Sequence, residues 1–274
     1  MSRNHQDIAV VQPDVALQVT GVSIEYQRRG GDVLKVLEDI SLEVPHGQFV
    51  SILGPSGCGK STFLRAIDGL VPIAEGVIRT HSKEVHKPGP DRAFVFQAHS
   101  LLPWQTAAQN AAFGLRMRGM GSREAGGKVQ SLLELVGLAG FEDSYPRELS
   151  GGMQQRVNLA RALALDPDIL LMDEPFAALD AQTRVVMQRE LLRIWSARER
   201  KSVVFVTHNV EEAVFLSDRV IVLSRKPARV RGDIAIDIPR PRDLDVTTGE
   251  PFRNYVAEVW DLIEPYVFEE TNKS

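Results

Sequence analysis

Only one cysteine, Cys58, occurs in the chain, so no intramolecular disulfide can form. That suits a reducing compartment. No apolar run approaches the ~18 residues of a membrane-spanning helix. The start, MSRNHQDIAVVQPD, lacks the basic and apolar regions of a secretory signal, and residues 1–13 are expected to form a mobile polar tail. Positive charge is not in excess: 32 Lys and Arg against 36 Asp and Glu leave a formal net charge of −4. This argues against a nucleic-acid-binding surface, so no nucleic-acid partner is expected. Any meeting with a membrane is expected to run through a protein partner. Internal repeats and low-complexity tracts are missing too.

What is present builds a core. Apolar residues make up 43% of the chain, and 25% are charged, which fits neither a disordered chain nor an integral membrane protein. At 274 residues, one α/β domain with an embedded subdomain fits better than two independent domains. Val15–Tyr26 alternates apolar and polar residues and reads as strand, as does Val36–Val44. Short apolar runs at Phe49–Leu53, Ala93–Phe96, Ile169–Met172, Val203–Val206 and Val220–Leu223 read as buried parallel strands. Helices are expected at Thr62–Gly69, Arg184–Arg198 and Phe252–Tyr266, the last with Val256, Val259, Trp260 and Ile263 on one face. Trp195 is expected in the core. Between Leu101 and Leu163 the pattern turns helical, with breaks at Arg118–Gly121 and Gly126–Gly127.

Two motifs carry chemistry. Gly54-Pro55-Ser56-Gly57-Cys58-Gly59-Lys60-Ser61 matches G-x-x-x-x-G-K-[ST], after an apolar strand and before a helix, with Thr62 next. Its glycines let backbone N–H groups curl around phosphate oxygens, and the helix adds its positive end. Lys60 suits the β- and γ-phosphates; the Ser61 hydroxyl suits Mg²⁺. Cys58 reads as a small filler of the loop. Ile169–Met172 ends in Asp173 and Glu174, the first placed for Mg²⁺ through water and the second to polarise an attacking water. Together they imply nucleoside triphosphate hydrolysis. No N-K-x-D guanine-reading motif is found, which favours ATP.

Leu149-Ser150-Gly151-Gly152-Met153-Gln154-Gln155-Arg156 resembles the signature of ABC ATPases. With the loop at 54–61 and ILLMDEP at 169–175, the set resembles an ABC-transporter ATP-binding subunit from about Val15 to Arg225. The resemblance implies a phosphate-loop (RecA-like) α/β core with an N-terminal antiparallel β subdomain and an inserted α-helical subdomain. The ATPase domain is expected at 15–240, with the insert at about 101–163 and a short extension at 241–274 without a regulatory β-domain. By the same resemblance Tyr26 stacks on adenine and Gln97 is the lid glutamine near Mg²⁺. Asp180 belongs to the loop beside the nucleotide, and His208 contacts the γ-phosphate and works with Glu174. Ser150, Gly151 and Gly152 would face the γ-phosphate bound to a second copy, so two chains sandwich two ATPs head to tail. Met153 and Asn209 depart from the residues commonest at their positions, glutamine and aspartate.

Leu102-Pro103-Trp104 followed by Asn110 resembles ATPases of the nitrate, sulfonate and taurine importers. That resemblance implies a separate transmembrane permease docking near Trp104, an extracytoplasmic solute-binding protein, and a place on the cytoplasmic face of the inner membrane. Trp104 could instead fill the helical subdomain's own core. Three other readings compete: an efflux or lipid-handling ABC subunit, a non-transport ABC ATPase, and a non-catalytic nucleotide-binding scaffold.

Overall fold

The structure, a computed structural model, describes residues 14–27, 31–97, 100–196 and 201–271, with side chains to residue 265. The tail expected at 1–13, Ala98 and His99 of the segment after Gln97, and the Arg198 end of the expected helix lie outside the described residues.

Two sheets organise the chain. The first has the order β2-β1-β4-β5, formed by β1 (Val15–Gln27), β2 (Val33–Pro45), β4 (Glu75–Thr80) and β5 (Lys83–Glu84). All its pairings are antiparallel. In β1 the buried residues Leu17 and Val19 are followed by Val22 and Ile24, a slip in the period of two. Both ladders of β1 shift register between Val19 and Ser23, and Gly21 there has φ +60°. One extra residue is absorbed in an irregular stretch, and the inward face is recovered on either side.

The second sheet has the order β10-β9-β3-β8-β7-β6. It comprises β3 (Phe49–Leu53), β6 (Arg92–Val95), β7 (Ile169–Asp173), β8 (Ser202–Val206), β9 (Arg219–Leu223) and β10 (Val230–Ala235). Every pairing is parallel except β10 with β9. All residues of β3, β7 and β8 are buried, which explains their unbroken apolar runs. Side chains alternate between two cores. Phe49, Leu170, Phe205 and Val222 join one, and Val50, Leu171, Val204 and Ile221 join the other. The second core is shared with the antiparallel sheet and with α1 (Lys60–Asp68).

The first core is roofed by helices. These are α2 (Ala107–Ala111), α3 (Phe113–Met117), α4 (Ser122–Leu135), α5 (Gly151–Ala164), α6 (Ala181–Ser196), α7 (Val210–Leu216) and α8 (Glu250–Thr271). Among the described residues no helix is long and apolar enough to cross a membrane.

Several expectations are corrected. Gly126–Gly127 is not a break: both lie inside α4, whose stripe of Ala125, Val129, Leu132 and Leu133 buries against the core and outweighs two glycines. The helix after the phosphate loop starts at Lys60, two residues early, because Gly59 supplies the turn into it. In α8 the buried stripe is Phe252, Val259 and Ile263, while Trp260 is 45% exposed. Strands β4, β5 and β10 escape a periodicity reading, since β10 buries only Ile234 and β5 nothing. Trp195 is buried, edge-on to Phe49.

Candidate functional site

Strand order places the site. β3 lies between β8 and β9, and β8 between β3 and β7, so residues leaving the carboxyl ends of these parallel strands share one crevice. From β3 comes the loop 54–61, from β7 come Asp173 and Glu174, and from β8 come Thr207 and His208. Gln97, exposed, follows the edge strand β6 at the same end.

The loop is tightly held. Gly59 caps α1 with φ +122°, and a Cβ there would sit 2.7 Å from Val36 Cγ1 of β2. The position therefore demands glycine on two counts. It also lays β2 along the loop. Tyr26, 42% exposed near the end of β1, pairs with Leu34, two residues before Val36. Lys60 is buried and donates to the carbonyls of Gly54 (2.8 Å) and Pro55 (3.0 Å). Cys58 is buried and burial pushes its thiol pKa up, which disfavours the thiolate a nucleophile needs.

Two pairs bridge the strand ends. Ser61 Oγ donates to Asp173 Oδ1 at 2.7 Å, and Arg65 Nη2 lies 3.9 Å from Asp173 Oδ2. Burial raises the Asp173 pKa, opposed by the Ser61 hydrogen bond and the Arg65 charge. Glu174 Oε2 lies 3.0 Å from His208 Nδ1. Glu174 has φ +42°, in the left-handed region, and its amide donates to Val206 O at 2.9 Å. A non-glycine residue there is strained, and the adjoining β8 backbone holds it.

Oxygen ligands with water completing the shell suit Mg²⁺. The Ser61 hydroxyl and Asp173 carboxylate already stand together, so the donor set fits that ion. Among the described residues no group of three His, Cys, Asp or Glu side chains forms a separate metal centre.

The signature stands elsewhere. Ser150, exposed, caps α5 by accepting the Met153 amide at 3.3 Å, and Gly151 beside it is exposed. Gly152 is buried, and a Cβ on it would lie 2.8 Å from Thr183 Cγ2 of α6. A side chain there would have to displace the Thr183 methyl, a contact made within the chain. Asp180 caps α6, its Oδ1 accepting the Thr183 amide at 3.0 Å; the Thr183 hydroxyl, and after it this amide, hold its carboxyl below the usual range. The fold therefore brings Ser150–Gly152 and Asp180 onto the helical layer, while loop 54–61, Asp173, Glu174 and His208 gather at the strand ends.

Trp104 is 70% exposed and does not fill a core. Asn110, fully buried, holds the turn that presents it. Its Oδ1 accepts the Leu102 amide (2.8 Å), and its Nδ2 donates to the carbonyls of Leu102 (3.1 Å), Gln105 (3.0 Å) and Thr106 (3.0 Å). Asn209 is the N-cap of α7, its Oδ1 accepting the Glu212 amide at 2.9 Å. Asparagine serves there as well as aspartate. Sequence reasoning missed the roles of Arg65, Asn110 and Glu212. A polar residue within an apolar helical pattern was the available signal for Asn110 and Glu212.

A parallel sheet with a glycine-rich phosphate loop, facing a strand-end carboxylate pair, defines a phosphate-loop nucleoside triphosphatase. Comparison with known proteins narrows the class. The family profile described as ABC transporter matches residues 37–177. An ABC transporter ATP-binding protein of Methanocaldococcus jannaschii is 48% identical over 92% of this chain and 93% of its own length. The taurine import ATP-binding protein TauB of Rhizobium johnstonii is 47% identical over 82% of this chain and 85% of its own. The aliphatic sulfonates import ATP-binding protein SsuB of Bacillus licheniformis is 43% identical over 88% and 93%. Among solved structures, a dimeric ATP-binding cassette in a post-hydrolysis state with ADP and Pi superposes with a TM-score of 0.71 at 31% identity. The match covers 81% of this chain and all of that one. The chain belongs to the ABC transporter ATP-binding family and is an ATPase.

Proposed function

We propose that the chain is the ATP-hydrolysing subunit of an importer for a small anionic solute of the taurine, alkanesulfonate or nitrate type. It would work as a homodimer on the cytoplasmic face of the membrane, through a separate permease fed by an extracytoplasmic solute-binding protein. The observation that carries the hydrolytic part is the 3.0 Å contact of Glu174 and His208 beside the phosphate loop. The solute class rests on the taurine and sulfonate import relatives. Exposed Trp104 on its Asn110-braced turn supports a permease contact.

In this reading Tyr26 stacks on adenine, and the amides of Gly54–Ser61 and Thr62 cradle the phosphates. Lys60 exchanges its two carbonyl partners for phosphate oxygens. Ser61, Asp173 and Gln97 would hold Mg²⁺, which supplies charge neutralisation on the phosphates when bound. Glu174 takes the proton of the attacking water, and His208 orients the γ-phosphate while fixing the Glu174 carboxylate. Ser150, Gly151 and Gly152 offer backbone N–H groups and a hydroxyl to the nucleotide of the second copy, with Asp180 alongside.

The test is growth and uptake of a deletion strain on taurine, alkanesulfonates and nitrate as sole sulfur or nitrogen source. A defect on one solute, rescued by the native gene but not by Glu174→Gln, is the expected result. Normal uptake across the panel would overturn the solute class and leave the ATPase standing.

A further inference from the structure

The turn Thr207–Asn209, between β8 and α7, carries His208. It is braced by more than its own backbone. Thr207 Oγ1 accepts the Asn209 amide at 3.0 Å and donates to Glu212 Oε2. Asn209 Oδ1 accepts the Glu212 amide at 2.9 Å. The other carboxylate oxygen, Glu212 Oε1, accepts Gln188 Nε2 of α6 at 2.9 Å. Thr207, Gln188 and Glu212 are all buried, whereas His208 between them is exposed. The carboxylate thus ties together the turn, the first turn of α7 and the middle of α6.

Burying a carboxylate is unfavourable even when it is hydrogen-bonded, and an apolar residue would pack α7 on α6 without that cost. Burial indeed raises the Glu212 pKa, against the hydrogen bonds from Thr207 and Gln188 and the charges of Arg184 and His208. What the carboxylate adds over an apolar side chain is directional. It accepts from two donors on different elements, which sets where the turn sits relative to α6. The start of α6 is fixed in turn to the segment before it, through Asp180 on the Thr183 amide and Arg184 Nη2 on Leu179 O (3.1 Å).

We propose that Glu212 and Gln188 are positioning residues for His208: their buried bridge, through Thr207, holds the imidazole against Glu174 and keys the turn to the helix that follows Asp180. The inference rests on the role given to His208 above. Neither residue touches substrate; both act on turnover through the turn.

The test uses purified full-length protein, with steady-state ATPase and ATP binding measured in parallel. Glu212→Leu keeps the bulk but removes both acceptors. It is expected to lower kcat roughly tenfold, with KM and Kd for ATP within about twofold, since the phosphate loop is untouched. Gln188→Met removes the same bridge from the α6 side and is expected to give a smaller loss in kcat, again without a change in KM. It decides the matter if Glu212→Leu fails to fold. The reciprocal pair Gln188→Glu with Glu212→Gln restores the hydrogen bond with donor and acceptor exchanged, and should recover kcat to within about threefold of the native value. His208→Ala is the reference. If it abolishes turnover while Glu212→Leu and Gln188→Met turn over normally, the positioning role is wrong. A loss that appears equally in KM, or that the reciprocal pair does not recover, also overturns it. Normal turnover by His208→Ala would instead overturn the reading of His208, and this inference with it.

Discussion

The phosphate-loop end and the signature end of the molecule are built differently. At the first, the reactive groups meet partners from their own chain: Lys60 on two carbonyls, Ser61 on Asp173, Glu174 on His208. At the second, Ser150 and Gly151 are exposed at the start of a 14-residue helix, the Ser150 hydroxyl accepting its own helix's Met153 amide, while Gly152 is buried against Thr183. One end is assembled by the fold. The other leaves Ser150 and Gly151 exposed at a helix start, an end whose positive dipole favours an anion.

That contrast can be broken most severely at Glu174. Glu174→Gln should cut phosphate release by about a thousandfold, within the range of a lost general base, while ATP still binds. Retained turnover would remove Glu174 from the reaction. Next, Lys60→Ala should weaken ATP binding by roughly a hundredfold, as loss of a charge-assisted contact does. Ser150→Arg should leave binding intact and still abolish ATPase. Mixing these two inactive proteins sharpens the comparison. A composite site built from one sound phosphate loop and one sound signature should restore a substantial fraction of native turnover. No recovery in the mixture would mean that both ends serve the same chain.

Smaller effects follow. Trp104→Ala should spare the ATPase of the isolated subunit and weaken co-purification with the permease; unchanged co-purification would count against docking there. Gly152→Ala should lower activity modestly through the 2.8 Å approach to Thr183 Cγ2, and Thr183→Ser should relieve it. Relief would place that restriction within one chain. Smallest is a pH effect at the far end of α1, away from both ends. Burial pushes the Asp68 pKa up to about 6 despite Arg92 at 3.7 Å. A raised carboxylate pKa means that folding carries a cost above about pH 6, which fades as pH falls toward the ordinary carboxylate range. The Tm difference between Asp68→Asn and the native protein should therefore be more favourable to the variant at pH 7.5 than at pH 5. A pH-independent difference would contradict the raised pKa.

Much of the site was legible before the fold because its chemistry is local. Lys60 and Ser61 follow a glycine loop within eight residues, and Asp173 and Glu174 end one apolar strand. The parallel strands were legible because burial on both faces leaves unbroken apolar runs. Strand β10 was not, because an edge strand with a single buried residue has no such run. Gly126 and Gly127 misled because local propensity is overruled by a buried stripe along the same helix.

By itself, then, the sequence determined the nucleotide chemistry, the order of its motifs and most of the central sheet, all properties of short contiguous segments. Only the tertiary structure decided that Trp104 faces solvent, that Gly152 is hemmed in by Thr183, and that Asn209 caps a helix. Only it brought Glu212 to Gln188, 24 residues apart, and Ser61 to Asp173, 112 residues apart. Contacts of that kind depend on strand order and helix packing, and no periodicity along the chain encodes which distant side chains will meet.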